Sequence, residues 1–233
     1  MLLTACGVGP SRVSSDSAGG SLPPLTGLTA HQTLPLNRDA HGLEGRLELL
    51  LDARLTEAQL ESFWGTGETD SVELKPAVLQ VVDMLGGVRD RQVLDRPLAR
   101  FETERLTLPG DSLWLLTVDY SASAGSYNGP VTLPLTVREE RIRPLEAVDD
   151  KGTSTPVRLM RALKSDWQLE PARAGQGQDI LYVFTRPDFE KSWEFQVTYE
   201  RLSFEGQRWV RHRRQEPGLW ESEGEFPARE LFP

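Results

Sequence analysis

Residues 193–214 read WEFQVTYERLSFEGQRWVRHRR. The first half alternates apolar with polar side chains, which is the period of two that a half-buried β-strand requires; the apolar set is Trp193, Phe195, Val197 and Tyr199. Further along, the apolar positions change parity to Leu202 and Phe204, which predicts a β-bulge. Glu205-Gly206 predicts a turn into another strand. The segment therefore favours antiparallel sheet as the main architecture.

Strand patterns also occur elsewhere in the chain. The segments are GRLELLLDA (45–53), SLWLLTVDY (112–120), VTLPLTV (131–137), DILYVFT (179–185) and GLWESEGEF (218–226). Pro134 has no N–H to donate to a neighbouring strand, so residues 131–137 are predicted to form an edge strand. Asn128-Gly129 predicts the tight turn that leads into it.

Three short helices are predicted between these strands. They are TEAQLESFW (56–64), the segment from Pro76 to Gly86-Gly87, and the segment from Thr155-Pro156 to Trp167. Thr56 and Gln59 have the spacing of a capping box at the start of the first helix. A proline suits the first helical position of the other two. The predicted fold class is therefore α+β, built on antiparallel β-sheet with a few short helices.

The order of predicted elements recurs along the chain. Each proline-initiated helix precedes a W-x-x-x-V-x-Y strand pattern, at Trp114 and again at Trp193. Either a duplicated helix-plus-meander module or the chance recurrence of two common features explains this. The predicted organisation is a leader and flexible tether over 1–40, an α+β module over 41–148 and a second, β-rich α+β module over 149–233.

The only cysteine lies at position 6, in Leu3-Thr4-Ala5-Cys6. This tetrapeptide resembles the lipobox of bacterial lipoproteins, in which the cysteine thiol is acylated and the leader is cut just before it. The resemblance implies lipidation of Cys6 and attachment to the membrane through an acylated N-terminal cysteine. The residues before it lack a basic region and an apolar core, so the leader is predicted to be truncated. The next residue is Gly7 rather than Asp, which favours the outer membrane.

Residues 7–30 are rich in Gly, Ser, Pro and Thr, and are predicted to form a flexible tether that continues to residue 40. The formal net charge of -9 disfavours general nucleic-acid binding, because an acidic chain repels phosphate groups. The histidines His31, His41 and His212 are not spaced as metal ligands, so no metal or cofactor is predicted.

One basic cluster stands out in this acidic chain, and it comprises Arg208, Arg211, His212, Arg213 and Arg214. These residues are the candidate binding residues, for anionic lipid headgroups, a polysaccharide or an acidic partner. The alternative is an edge strand that charge protects against aggregation.

The predicted function is that of a non-catalytic binding or assembly module, anchored in the bacterial cell envelope, that holds a protein partner near the membrane. The alternative is an envelope hydrolase that acts on cell-wall or glycan material through paired carboxylates. The acids that stand out locally are Glu139-Glu140, Asp149-Asp150 and the set Glu221, Glu223 and Glu225. Consecutive acids on a strand point to opposite faces and cannot both reach one bond, whereas the set of three is predicted to share one exposed face of a terminal strand.

Overall fold

The computed structural model describes residues 11–13, 25–36, 44–61, 73–108, 111–120, 126–173, 177–188 and 194–233. The strands in chain order are β1 (Ser11–Val13), β2 (Leu28–Leu36), β3 (Gly45–Asp52), β4 (Val78–Asp83), β5 (Val88–Val93), β6 (Ala99–Leu108), β7 (Asp111–Val118), β8 (Val131–Arg138), β9 (Arg141–Pro144), β10 (Glu146–Val148), β11 (Ser154–Pro156), β12 (Leu159–Met160), β13 (Ser165–Pro171), β14 (Gln178–Pro187), β15 (Phe195–Glu205) and β16 (Arg208–Pro217). In the part of the chain that is described, the helices are α1 (Glu57–Glu61) and a 3₁₀ turn (Arg229–Leu231). The prediction of antiparallel sheet is confirmed, but the fold is predominantly β rather than α+β with several helices. The predicted lipobox, His41 and Trp193 lie outside the described residues.

Sheet A contains five strands in the order β1-β5-β4-β3-β2. Its edge strand β2 pairs antiparallel with β3, from Leu28 opposite Asp52 to Leu36 opposite Gly45. The flexible tether predicted up to residue 40 is therefore corrected for residues 11–13, which pair with β5, and for residues 28–36. Most side chains of β2 are exposed or half-buried. Its low apolar content does not prevent order, because main-chain hydrogen bonds to β3 hold an edge strand in place.

The helix predicted from Pro76 is absent, and β4 occupies that segment as a strand inside sheet A. Residues 78–82 are all buried, on both faces of the sheet. A strand covered on both faces is apolar at nearly every position, so some of its apolar residues also fall at helical spacing. The β-branched valines Val78, Val81 and Val82 favour the strand.

The first predicted helix does form, as α1, and its capping box is confirmed. The backbone N–H of Thr56 donates to Oε1 of Gln59 at 2.9 Å, and the backbone N–H of Gln59 donates to Oγ1 of Thr56 at 3.3 Å. Two donors that the helix itself leaves unsatisfied are thereby paired. The predicted continuation over 62–64 lies outside the described residues.

Sheet B has the strand order β12-β8-β7-β6, and β9 also pairs with β8. The prediction of an edge strand at Pro134 is wrong, because β8 has neighbours on both sides. The Pro134 carbonyl accepts a hydrogen bond from the Leu145 N–H at 2.8 Å. The missing N–H of Pro134 is tolerated because the carbonyl of Leu145, opposite it, accepts instead from the N–H of Val157 at 2.8 Å.

Asn128-Gly129 is not the tight turn that the sequence predicts. Gly129 does not adopt a positive φ. A Cβ at this position would lie 1.8 Å from the carbonyl oxygen of Arg161. The glycine is needed because two backbones approach closely there.

Sheet C contains six strands in the order β11-β10-β16-β15-β14-β13. The third predicted helix is absent, since Thr155 and Pro156 lie in β11 and Trp167 lies in β13. Trp167 is opposite Tyr182 of β14 and belongs to a buried cluster that includes residues of β6 and β7. Long-range packing of this tryptophan against a sheet replaces the helix that its local spacing predicts.

The predicted bulge in β15 is also absent, because the pairing with β16 is continuous over residues 196–205. Val197 packs in a cluster with Phe232, whereas Leu202 packs in a different cluster with Trp209. The change of parity therefore arises because the two halves of β15 bury opposite faces of sheet C.

One of these faces is covered by the C-terminal segment, residues 218–233. The predicted strand over 218–226 does not form there. Phe226 and Phe232 stack with ring centroids 5.6 Å apart, and Tyr199 of β15 meets Phe232 edge-on at 5.6 Å. The guanidinium of Arg173 donates to the carbonyls of Arg229 and Phe232 at 2.9 and 2.7 Å. The segment is thus held by aromatic packing and by hydrogen bonds to its main chain.

The chain divides into two compact units. The first comprises Met1–Ser62, Thr69–Arg100 and Val137–Ile142, and the second comprises Phe63–Glu68, Phe101–Thr136 and Arg143–Pro233. This division differs from the predicted modules over 41–148 and 149–233. The two helices on which the predicted duplication depended are both strands in the structure.

Candidate functional site

The predicted basic cluster lies on β16, the second strand of a hairpin with β15. The hairpin turn is Gly206-Gln207, with φ values of 55° and 70°. Two consecutive positive φ values are typical of a type I′ turn, whose twist matches that of the flanking strands. The two-residue loop therefore sets the register, in which Arg213 lies opposite Glu200.

The strand alternation separates the cluster into two sets. Arg211 and Arg213 share a face with Trp209, whereas Arg208, His212 and Arg214 point to the other face. The sequence correctly placed these residues on one strand, but they do not form one continuous patch.

On the first face, the carboxylate of Glu200 holds both arginines. Glu200 is only 4% exposed. Its Oε2 accepts from the Arg213 guanidinium at 2.7 Å, and its Oε1 lies 3.2 Å from Nε of Arg211. Burial raises the pKa of neighbouring Tyr182, and the charge of Glu200 raises it further. This three-residue group carries one positive charge in excess.

On the second face, two of the three basic side chains have an acidic partner. His212 Nε2 lies 2.8 Å from Glu205 Oε1, and Arg214 pairs with Glu216. Arg208 has no ion pair with any residue that the structure describes. Exposed pairs of this kind contribute little to stability, so their side chains can exchange partners at small cost.

Among the described residues, the outer edge of β16 has a neighbouring strand over only a short part of its length. Residues 211–217, which no described strand pairs with on that side, are called the open edge. Beyond the hairpin partner β15, the described neighbour is β10, which pairs only with Trp209 and Val210. In a hairpin with a two-residue loop, the two residues that flank the loop exchange backbone hydrogen bonds. Hydrogen-bonded and non-hydrogen-bonded pairs then alternate along the two strands. The backbone N–H and C=O groups of Arg211, Arg213 and Gln215 therefore point away from β15. Nothing in the local sequence signals this edge, because it depends on how far β10 extends.

The acids considered for hydrolysis lie in three different local settings. Glu221, Glu223 and Glu225 lie in the C-terminal segment rather than on a strand, so they do not share a strand face. Glu221 lies 3.8 Å from the ammonium of Lys164. Glu139 and Glu140 form the turn between β8 and β9, with φ values of 51° and 61°.

Asp149 of the remaining pair stabilises a turn, because its Oδ1 accepts from the N–H groups of Lys151 and Thr153 at 3.0 and 2.8 Å. Within the described ranges, no three His, Cys, Asp or Glu side chains are grouped to hold a metal ion. The same residues include no helix that is long and apolar enough to cross a bilayer.

No protein-family model matches the chain, and neither curated proteins nor solved structures show a significant similarity to it. The functional conclusion therefore depends on the geometry of the chain and on its N-terminal sequence pattern. The open edge of β16 is the feature of the candidate site with the most direct consequence for binding.

Proposed function

We propose that this protein is a lipid-anchored binding module of the bacterial cell envelope, which holds a partner protein by adding the partner's strand to β16. The observation that carries the binding proposal is the open edge at residues 211–217. The lipobox-like Leu3-Thr4-Ala5-Cys6 supports the anchor, with Cys6 as the acylated residue, and Gly7 favours the outer membrane.

Strand addition suits this edge because it offers, on a fixed register, main-chain groups that no described strand pairs with. Main-chain hydrogen bonds would supply affinity, and side chains that flank the edge would supply specificity. Flanking side chains here include Arg211 and Arg213, which share the single carboxylate of Glu200. The partner is therefore an extended segment with acidic side chains at alternate positions.

The anchor is tested by expressing the protein from its native gene in a bacterium. Intact mass should correspond to a chain that begins at Cys6 and carries acyl groups, and the protein should fractionate with membranes. The Cys6→Ser variant is the control and should be unmodified. A wild-type chain of unmodified mass in the soluble fraction would remove the anchor from the proposal.

The binding edge is tested with two variants at one position. Gln215→Pro removes an outward-facing N–H without removing a hydrogen bond to β15, and prolines are tolerated on edge strands. Gln215→Ala keeps that N–H and loses the same weak side-chain contact to Thr198, at 3.3 Å. A photo-reactive residue at position 215 identifies the partner in cells, and its affinity is then measured with purified proteins.

We expect Gln215→Pro to weaken that affinity by about tenfold or more, the equivalent of one or two net hydrogen bonds. The Gln215→Ala variant should bind like the wild type. Equal binding by both variants would contradict strand addition at this edge, provided that both melt at the wild-type temperature.

A further inference from the structure

The turn between β4 and β5 displays two large apolar side chains next to each other. Met84 is 70% exposed and Leu85 is 94% exposed. The other large apolar side chains that are strongly exposed in the described ranges, Tyr127 and Leu219, lie in separate segments and are less exposed, at 41% and 52%. Single exposed hydrophobic residues are normal, but an adjacent pair at the tip of a hairpin contributes nothing to the core of its own chain.

The main chain of this turn is fixed by the carboxylate of Asp83. Its Oδ1 accepts from the N–H groups of Leu85 and Gly87 at 2.8 and 2.7 Å, and its Oδ2 accepts from Nε of Arg89 at 2.7 Å. The N–H of Asp83 donates back to the carbonyl of Gly87 at 2.9 Å. The hydrogen bond from Gly87 is the largest cause that lowers the pKa of Asp83, so the carboxylate is charged at neutral pH.

The two glycines of the turn are both required by this geometry. Gly86 has a φ of +86°, where side chains are strained, and a Cβ at Gly87 would lie 2.9 Å from Oδ2 of Asp83. Only positions 84 and 85 remain free to carry large side chains, and both are apolar. A turn that is ordered before binding loses little conformational entropy when it docks.

We propose that Met84 and Leu85 form a docking tip that inserts into an apolar pocket on a partner protein. At the base of the tip, the Arg89 guanidinium is shared between Asp83, at 2.7 Å, and Glu140, at 3.7 Å. One negative charge is in excess in this group, so the rim of the pocket is expected to be basic. The same charge would be repelled by anionic lipid headgroups, which disfavours a membrane surface as the occupant.

The topology of sheet A also favours a protein partner if Cys6 is lipid-anchored, as in the proposed function. Strand β1 pairs with β5 at Ser11 opposite Val93, which is the end of β5 remote from the tip. A chain anchored at Cys6 enters the sheet at that remote end. The tip therefore points away from the entry of the anchor.

The test uses two variants of the full chain, one with a photo-reactive residue at position 84 and one with the same residue at position 219 as the reference. Both are crosslinked in bacterial cells. The captured protein is identified and purified, and its affinity is measured for the wild type, Leu85→Ser and Leu219→Ser. We expect Leu85→Ser to weaken binding at least about tenfold, as loss of one buried leucine side chain predicts. Leu219→Ser should bind like the wild type, and all three proteins should share one melting temperature.

Three results would overturn the proposal. Crosslinks from position 84 that do not exceed those from position 219 would leave the tip without a partner. Crosslinks only to a second copy of the chain would indicate self-association. Binding of the wild type, but not of Leu85→Ser, to phosphatidylglycerol vesicles would indicate a membrane surface. None of these three results depends on whether Cys6 is acylated or on how tightly Gln215→Pro binds. A failure of the docking tip can therefore be distinguished from a failure of the proposed function.

Discussion

The Gly129→Ala variant should lose at least about 3 kcal/mol of unfolding free energy through overpacking and the loss of hydrogen bonds. A Cβ at position 129 would lie 1.8 Å from the carbonyl oxygen of Arg161 and 2.9 Å from its carbonyl carbon. Since real Cβ contacts essentially never fall below 3.0 Å, the two backbones must separate by about 1.2 Å, the difference between 3.0 and 1.8 Å. Both atoms that are met belong to the main chain, so no side chain can rotate away to relieve the contact.

Moving the two backbones apart would weaken two hydrogen bonds that lie beside this contact. The Arg161 N–H donates to the Pro130 carbonyl at 3.0 Å, and the Ala162 N–H donates to the Ser165 carbonyl at 2.9 Å. Each bond contributes about 1 kcal/mol net, and overpacking adds about 1–3 kcal/mol. For a chain of this size a loss of about 3 kcal/mol lowers the melting temperature by roughly 6–12 °C.

The assay is thermal and urea unfolding followed by the fluorescence of the buried Trp167 and Trp209. Gly224→Ala is the matched control, because the nearest atom to its Cβ is a carbonyl oxygen at 3.5 Å, an ordinary contact. It should be within about 0.5 kcal/mol of the wild type. Gly152→Ala, at a φ of +79° with open space around it, should cost about 1 kcal/mol through backbone strain alone. A Gly129→Ala variant as stable as Gly224→Ala would refute the steric reasoning.

Three further predictions concern other parts of the chain. Phe232→Ala should destabilise the second unit by about 3–5 kcal/mol in urea unfolding, because a fully buried ring leaves a cavity; a loss below 1 kcal/mol would mean that the C-terminal segment adds little. Thr56→Ala should weaken α1 by about 0.5–2 kcal/mol, and hydrogen exchange of the Gln59 amide should accelerate while the global unfolding midpoint stays constant. Hydrogen bonds from the Arg54 side chain and the Lys75 N–H hold the pKa of Asp52 well below its usual range. Its stabilisation is complete above pH of about 4 and is lost as the pH falls further. In urea unfolding at a series of pH values, the wild type should therefore lose more unfolding free energy below pH of about 4 than Asp52→Asn, which lacks the titrating carboxylate.

The sequence predicted elements whose signals are local. The alternation in residues 195–199 and the turn at Gly206 depend on neighbours a few positions away, and the hairpin forms where they indicate. The capping box of Thr56 and Gln59 is equally local, because both partners belong to one helical turn.

Predictions failed where burial comes from distant segments. The apolar spacing in residues 78–82 fits a helix with one buried face and also a strand with two buried faces, and only the packing of sheet A distinguishes them. Trp167 likewise completes a helical stripe in the sequence but packs against residues of β6 and β7 in the structure.

The sequence by itself determined the presence of antiparallel sheet, the hairpin that carries the basic cluster, and the composition of that cluster. These features follow from side-chain alternation and turn chemistry, which act over a few residues. Only the tertiary structure decided that Glu200 neutralises part of the cluster, that β10 leaves the edge of β16 open, and that Met84 and Leu85 lie at an exposed tip. The physical reason is that strand pairing and burial depend on contacts between segments far apart in the chain, which local periodicity does not encode.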